Sequence, residues 1–444
     1  MVPAARAADV RVNVVDRVPA GGAHGLLVPG AGASVSRAGA LAALERGKVR
    51  NSLLGGVPAG KPLIRVSATP GETTVYVTLP PPGTHPNDRR YPVAIVGPAY
   101  RAGILFSANT RIPGLVSIAD VAPTVLALRR GERPPVRARA GTLGHLDGRL
   151  TRVRHLRLPV RIAIVAVFLL LIALRRRSAP FAGAAAVAVL LALSALGVDR
   201  LWLVLALLVP IAIAGSVVAE RSFPLLLLIY LLVLVARPEV SALAAIGTRP
   251  DGGGRFYGIS NDVETLLLAP VLAAASVPVA MLALVTVAWS RAGADGGGML
   301  VYAAGFAVLA LRRRGLRLTP RTAAAVAAAI VVLGLALVGL DAATGGSSHV
   351  TRALGAGPGS LAGDLGHRLH QAWAGATVAW WRELFVVIGL GALAWLATRR
   401  PRLPVLDAFL VAVAVSLVVN DTPQDVALFG GLGGLALYAS RKPV

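Results

Sequence analysis

"PVRIAIVAVFLLLIALRRR", Pro159 to Arg177, is where this 444-residue chain changes character. Residues 159–174 form an apolar run that, at about 1.5 Å per residue, approaches the thickness of a hydrocarbon core once flanking side chains snorkel. Three arginines close it. The pattern recurs C-terminally and is missing N-terminally, so this run divides the chain into two kinds of sequence. Further apolar runs occupy 180–197, 201–219, 223–236, 298–311, 321–340, 383–398, 404–419 and 425–440. The run from Val263 to Trp289 is long for one span and holds Pro270 and Pro278, which predicts either one kinked span or a hairpin of two short segments. Composition agrees: 55% apolar residues, 15% charged and a mean hydropathy of +0.70 place the chain in the multi-pass membrane class. The expected fold is a mainly α-helical bundle of about 9–11 spans, preceded by a small α/β segment.

A net charge of +24 could suggest nucleic acid, but the basic residues stand in short clusters beside apolar runs, as topology requires. Nucleic acid is therefore not an expected partner, whereas the lipid bilayer is. The strongest clusters are Arg175–Arg177, "RRRGLR" from Arg312, "RRPR" from Arg399 and the terminal "RKPV". They share the cytoplasmic side only if residues 263–289 cross an even number of times, which favours the hairpin. The N-terminal segment is then extracytoplasmic. With no cysteines, thiol nucleophiles, disulfides and thiolate metal sites are excluded.

Residues 1–157 read as extracytoplasmic α/β sequence, with strand-like runs "TTVYVTL" and "YPVAIVG" between Pro, Gly, Asn and Asp turns. "AARAA" near the start resembles the end of a secretory signal, consistent with Met1 as an internal start; an ordinary flexible N-terminus reads equally well. "GILFSANTRIPGLVSIADVAPTVLAL", Gly103 to Leu128, contains Asp120-Val-Ala-Pro-Thr-Val-Leu126 and resembles the C-terminal part of alkaline-phosphatase-superfamily domains. The resemblance covers roughly residues 60–135 and maps a late metal-binding histidine onto His85. A two-metal centre needs several more ligands, and upstream of residue 60 the chain offers His24, Asp9, Asp16 and Glu45. The segment is therefore expected to be a truncated, catalytically dead relative with no metal or cofactor. Asp120 is expected to cap the helix that follows it.

The larger pattern, over most of the chain and with residues 158–444 as the multi-span part, resembles a poorly characterised group of bacterial membrane proteins that join a phosphatase-like ectodomain to a polytopic bundle, which implies a bacterial inner membrane. Four polar words carry the likeness: "RFYGISND" (Arg255 to Asp262), "GADGGG" (Gly293 to Gly298), "SHVTRA" (Ser348 to Ala353) and "NDTP" (Asn420 to Pro423). Asp262, Asp295 and Thr422-Pro423 depart from the group's usual Glu, Asn and Ser-Gly. The charge-derived topology collects all four words at the outer face. An outer segment, 341–382, carries leucines at i+4 spacing with Trp373, Trp380 and Trp381, which predicts an amphipathic helix on the membrane surface.

Carboxylates at membrane depth are costly and tend to be functional. Glu264, Asp262 and His349 are candidate general bases. Arg255, Tyr257, Asn261, Asp295, Arg352, Asn420 and Asp421 are candidate binding residues, with arginine suited to bidentate phosphate contacts. Bland readings stand beside these: interfacial anchors for the arginines, a solvated loop for His349, a C-cap and N-cap for Asn420 and Asp421. The motif order is similar to that of O-antigen polymerases and ligases, which implies a transferase handling a lipid-linked glycan or other phosphate-bearing lipid. A transporter or flippase with a broken-helix ion site, and a non-enzymatic envelope scaffold, are the alternatives.

Overall fold

The computed structural model describes residues 9–50, 57–252, 255–316, 319–322, 324–325, 328–329, 332, 336, 366, 370 and 372–441. The chain divides into two compact units, residues 1–154 with 248–257 and residues 155–247 with 258–444.

The first unit is α/β. Strands β1 (Val10–Val14), β2 (Ala23–Val28), β4 (Thr73–Val77), β6 (Tyr91–Val96), β7 (Gly103–Ser107) and β9 (Val136–Arg139) form a mixed sheet in the order β1-β4-β6-β2-β7-β9, and β8 (Leu115–Ser117) also pairs with β2. A two-stranded ribbon joins β3 (Ser34–Ser36) to β5 (Thr84–Pro86). Val10, Val12, Val75, Val77, Val93 and Ile95 alternate along their strands and share one core with α1 (Arg37–Arg46) and α2 (Val121–Arg129), while Thr74 and Ala94, of the opposite phase, are buried too. Arg129 fastens α2 to β1 through two hydrogen bonds to the Val10 carbonyl. Asn87 donates to the carbonyls of Gly30, Gly32 and Gly252, which ties segment 248–257 into this unit.

The second unit is helical. Its elements are α3 (Leu146–Leu174), whose first residues to Arg154 count with the first unit, then α4 (Ala182–Ala195), α5 (Leu201–Ala236), α6 (Pro238–Ala242), α7 (Asn261–Ala273), α8 (Val277–Ala288), α9 (Gly296–Arg313), α10 (Trp380–Thr398), α11 (Pro404–Val419) and α12 (Pro423–Ser440). Three of them, α3, α5 and α10, are long and apolar enough to cross a membrane; α8, α11 and residues 179–195 are shorter apolar helices. Pro159 lies inside α3, which begins well before the apolar run.

Where two separate spans are expected at 201–219 and 223–236, the structure has one helical element broken at Ser222, the single residue with non-helical angles. A straight 36-residue helix would measure about 54 Å. Ser194 Oγ nevertheless donates to the Val240 carbonyl at 2.7 Å, and the flanking chain that closes this loop reaches at most about 40 Å fully extended. The element must therefore bend at Ser222, giving two arms as the sequence pattern implies, without an intervening loop. Ser178 Oγ, bonded to Glu220, and Phe181, edge-on to Phe223, pack at the bend.

Residues 263–289 form the hairpin. Ile259 N donates to Gly293 O, which joins the start of α7 to the end of α8, and Arg313 donates to the Ala275 carbonyl in the turn between them. Helix α11 runs antiparallel to α9, since Asp407 at its start holds Arg312 at 2.8 Å while Asn420 at its end lies against Gly297. Small residues let α10 lie on α12: a Cβ at Gly389 would fall 2.2 Å from Ala427 backbone atoms. Most of the expected span at 321–340 lies outside the described residues.

A buried carboxylate layer in the helical unit

Four helix ends meet in one layer: the starts of α7, α9 and α12 and the end of α11. Ser260 caps α7, its Oγ accepting from Val263 N, so Asp262 and Glu264 fall in the first turn, where the helix dipole favours anions. At Gly258, φ is +95° and a Cβ would sit 2.1 Å from Gly293 O, so only glycine lets the chain entering α7 approach Gly293 ahead of α9. Asp295 caps α9, accepting from Gly297 N and Gly298 N at 3.1 Å each. Pro423 opens α12 at its first position, leaving Asp425 in the first turn.

Glu264 is 0% exposed. Asn420 Nδ2 donates to both of its carboxylate oxygens, at 3.3 and 3.4 Å, and Ser416 Oγ donates to Oε1 at 3.4 Å. Asn420 also donates to Ser416 Oγ at 2.8 Å while forming the C-cap of α11, so one side chain ends a helix and faces the acid. Tyr302 donates to the Glu264 carbonyl. A Cβ at Gly298 would lie 2.9 Å from Glu264 Oε2 and 2.6 Å from Val287 Cγ1; the missing side chain is what admits the carboxylate against the start of α9.

Arg161 of α3 forms the second part of the layer. Its Nη2 donates to Asp262 Oδ2 at 2.7 Å and to Asp425 Oδ2 at 3.0 Å, and its Nε to Asp262 Oδ2 at 3.3 Å. All three residues are buried. Formally one positive charge faces two negative ones. Helix starts contribute about 0.3–1 kcal/mol each, whereas breaking a buried pair costs about 3–5 kcal/mol, so the guanidinium is the dominant compensation. Gln424 Nε2 adds a donor to Asp425 Oδ2 at 3.4 Å. Asp262 Oδ1 and Gln424 Oε1 are buried and accept no hydrogen bond among the described residues.

The candidate residues from the sequence fall into three groups. Asp262, Glu264, Asp295 and Asn420 share the buried layer, and Asn261 sits at its edge, donating to Asp421 Oδ1 at 2.9 Å and Thr422 Oγ1 at 2.8 Å. Arg255 and Tyr257 belong to the first unit, where Arg111 stacks 3.9 Å above the Tyr257 ring. His349 and Arg352 lie outside the described residues, as does most of segment 341–382. Sequence reading missed Arg161, Ser416, Gln424 and Asp425. Arg161 carried a signal, an arginine two residues into the first apolar run, and Asp425 another, an acid in the opening turn of the last.

In the first unit, Asp120 does not cap α2 with its side chain. It accepts from Ser107 Oγ and Asn109 Nδ2 at 2.6 Å each, and from Ser117 N in a capping box on the preceding 3-10 turn, Ile118–Asp120. The cap expected for α2 is displaced because three donors from β7, the loop after it and β8 converge on this buried carboxylate and turn it away from the α2 amides. Burial pushes the Asp120 carboxyl above its ordinary range, and the three donors pull it back down. His24 and His85 contact the carbonyls of Ala20 and Pro82. Compared with protein-family models, curated proteins and solved structures, the chain matches none.

Proposed function

We propose that the helical unit is the multi-pass bundle of a bacterial inner-membrane protein and acts as a cation-coupled carrier or flippase for a lipid-linked glycan or related phosphate-bearing lipid. Its first unit is then extracytoplasmic, a degenerate phosphatase-like domain, and the carboxylate layer faces the outer side. The observation that carries the reading is Glu264: wholly buried among apolar helices, held by an amide and a hydroxyl, and set where α11 stops, α12 starts and α9 begins. Broken-helix junctions of this kind supply the polar groups that coupling ions need inside a bundle. Glu264 takes up and releases the coupling cation, and Asn420 and Ser416 hold the carboxylate in place.

A transferase is the weaker reading. A general base must reach the acceptor hydroxyl, directly or through one water. Glu264 is closed in by packing, and Asp262 is engaged by Arg161. Arg255 groups with the other unit. Two assays separate the readings: ion-gradient-driven uptake into membrane vesicles, and incorporation of glycan into the envelope. Glu264→Gln should abolish gradient-driven uptake. Loss of glycan incorporation in both Glu264→Gln and Arg352→Ala, with gradient-driven uptake intact, would establish the transferase instead.

A further inference from the structure

We propose that the cluster around Arg161 is a binding site for one sodium ion, separate from Glu264. Its groups are all hard oxygen donors or a fixed guanidinium, with no sulfur or imidazole. Asp262 Oδ2 and Asp425 Oδ2 share Arg161 Nη2, and Gln424 Nε2 extends the same cluster from Asp425 Oδ2. Two oxygens on this cluster, Asp262 Oδ1 and Gln424 Oε1, accept nothing among the described residues although the two residues are only 6% and 2% exposed. Buried carboxylate and amide oxygens are normally satisfied, and those that are not point to a missing donor or cation. Carboxylate and carbonyl oxygens select hard cations. Among the described residues, two carboxylates set against one guanidinium match a single positive charge, not two.

The charged and titratable surroundings of Asp262 are compatible with this. Arg161 faces it from α3, Asp425 from α12, and Glu264 lies on its own helix; Asp295 and Tyr302 come from α9, and Asp421 is held beside Asn261. Helices α4 and α8, which also pack in this region, contribute no titratable side chain. Because the cluster joins the first turns of α7 and α12 to α3, its occupant would hold three helices of the unit together.

The inference rests on the geometry of the cluster and not on carrier activity, so binding is measured without transport. The full chain, purified into lipid nanodiscs, is titrated with radiolabelled sodium at fixed pH, with choline chloride as the control. A sodium site predicts saturable sodium binding in the wild type and in Glu264→Gln, weakened about ten-fold or more in Gln424→Met. Gln424→Met leaves the Arg161 ion pairs in place, so weakened binding there reads the site and not the collapse of the cluster. Absence of saturable sodium binding in the wild type, its loss in Glu264→Gln, or an affinity unchanged in Gln424→Met overturns the proposal. Intact sodium binding with transport lost in Glu264→Gln would show the two sites to be distinct.

Discussion

At Gly298 a single missing methyl group admits a carboxylate. Gly298→Ala would press its Cβ against Val287 and Glu264, an overpacking expected to cost about 1–3 kcal/mol, and its lower thermal midpoint should come with loss of gradient-driven uptake. A stable variant with normal uptake would show that the contact does not matter. Asp120 makes a second residue-scale prediction, this one on pH. Its folded-state carboxyl is raised by burial, so the folded state binds its proton more tightly than the unfolded chain does. That contribution is fully present below the ordinary carboxyl range and is lost as pH rises through the folded value. Resistance of the first unit to limited proteolysis should therefore decline as pH climbs from the acid side, and Asp120→Asn should flatten this dependence. A profile identical in wild type and variant would remove Asp120 as its cause.

Among the elements, α5 and the α3–α7–α12 junction are the most exposed to test. The bend at Ser222 predicts that a natively cysteine-free chain carrying Ser194→Cys and Val240→Cys is joined by a short bifunctional thiol reagent, because the two positions are hydrogen-bonded neighbours. An unjoined pair in which both thiols react singly with the reagent would contradict the proximity that requires the bend. At the junction, Arg161→Met should destabilise the helical unit by about 3–5 kcal/mol by leaving buried carboxylates behind. Arg161→Met combined with Asp262→Asn and Asp425→Asn should recover much of that loss in thermal unfolding, since no charge is then stranded. A triple variant no more stable than Arg161→Met would mean that the ion pairs are not what Arg161 provides.

For the molecule as a whole, the division into an α/β segment and a mainly helical one was legible because strand-like alternation and apolar length are direct physical signals. The two prolines between Val263 and Trp289 and the parity of the arginine clusters indicated a hairpin, and α7 and α8 form one. Of the site, Glu264, Asp262 and Asn420 could be read as polar residues at helix ends. Arg161 escaped because the hydropathy of its run concealed it and its partners lie 101 and 264 residues away. Arg255 and Tyr257 looked continuous with Asp262, yet the chain passes from one unit to the other between Tyr257 and Gly258. Linear proximity carried no information about that boundary. The side on which each loop sits is open to reporter fusions: periplasm-active reporters should work at Gly252 and Gly346 and fail at Arg314 and Arg400, and the reverse pattern would invert the orientation.

The most direct test of the central claim follows a fluorescent lipid-linked glycan between leaflets of proteoliposomes containing only this protein, under an imposed proton or sodium gradient. The account predicts movement that requires the gradient and disappears in Glu264→Gln. Movement in Glu264→Gln at the wild-type rate, or none in the wild type under either gradient, would contradict it.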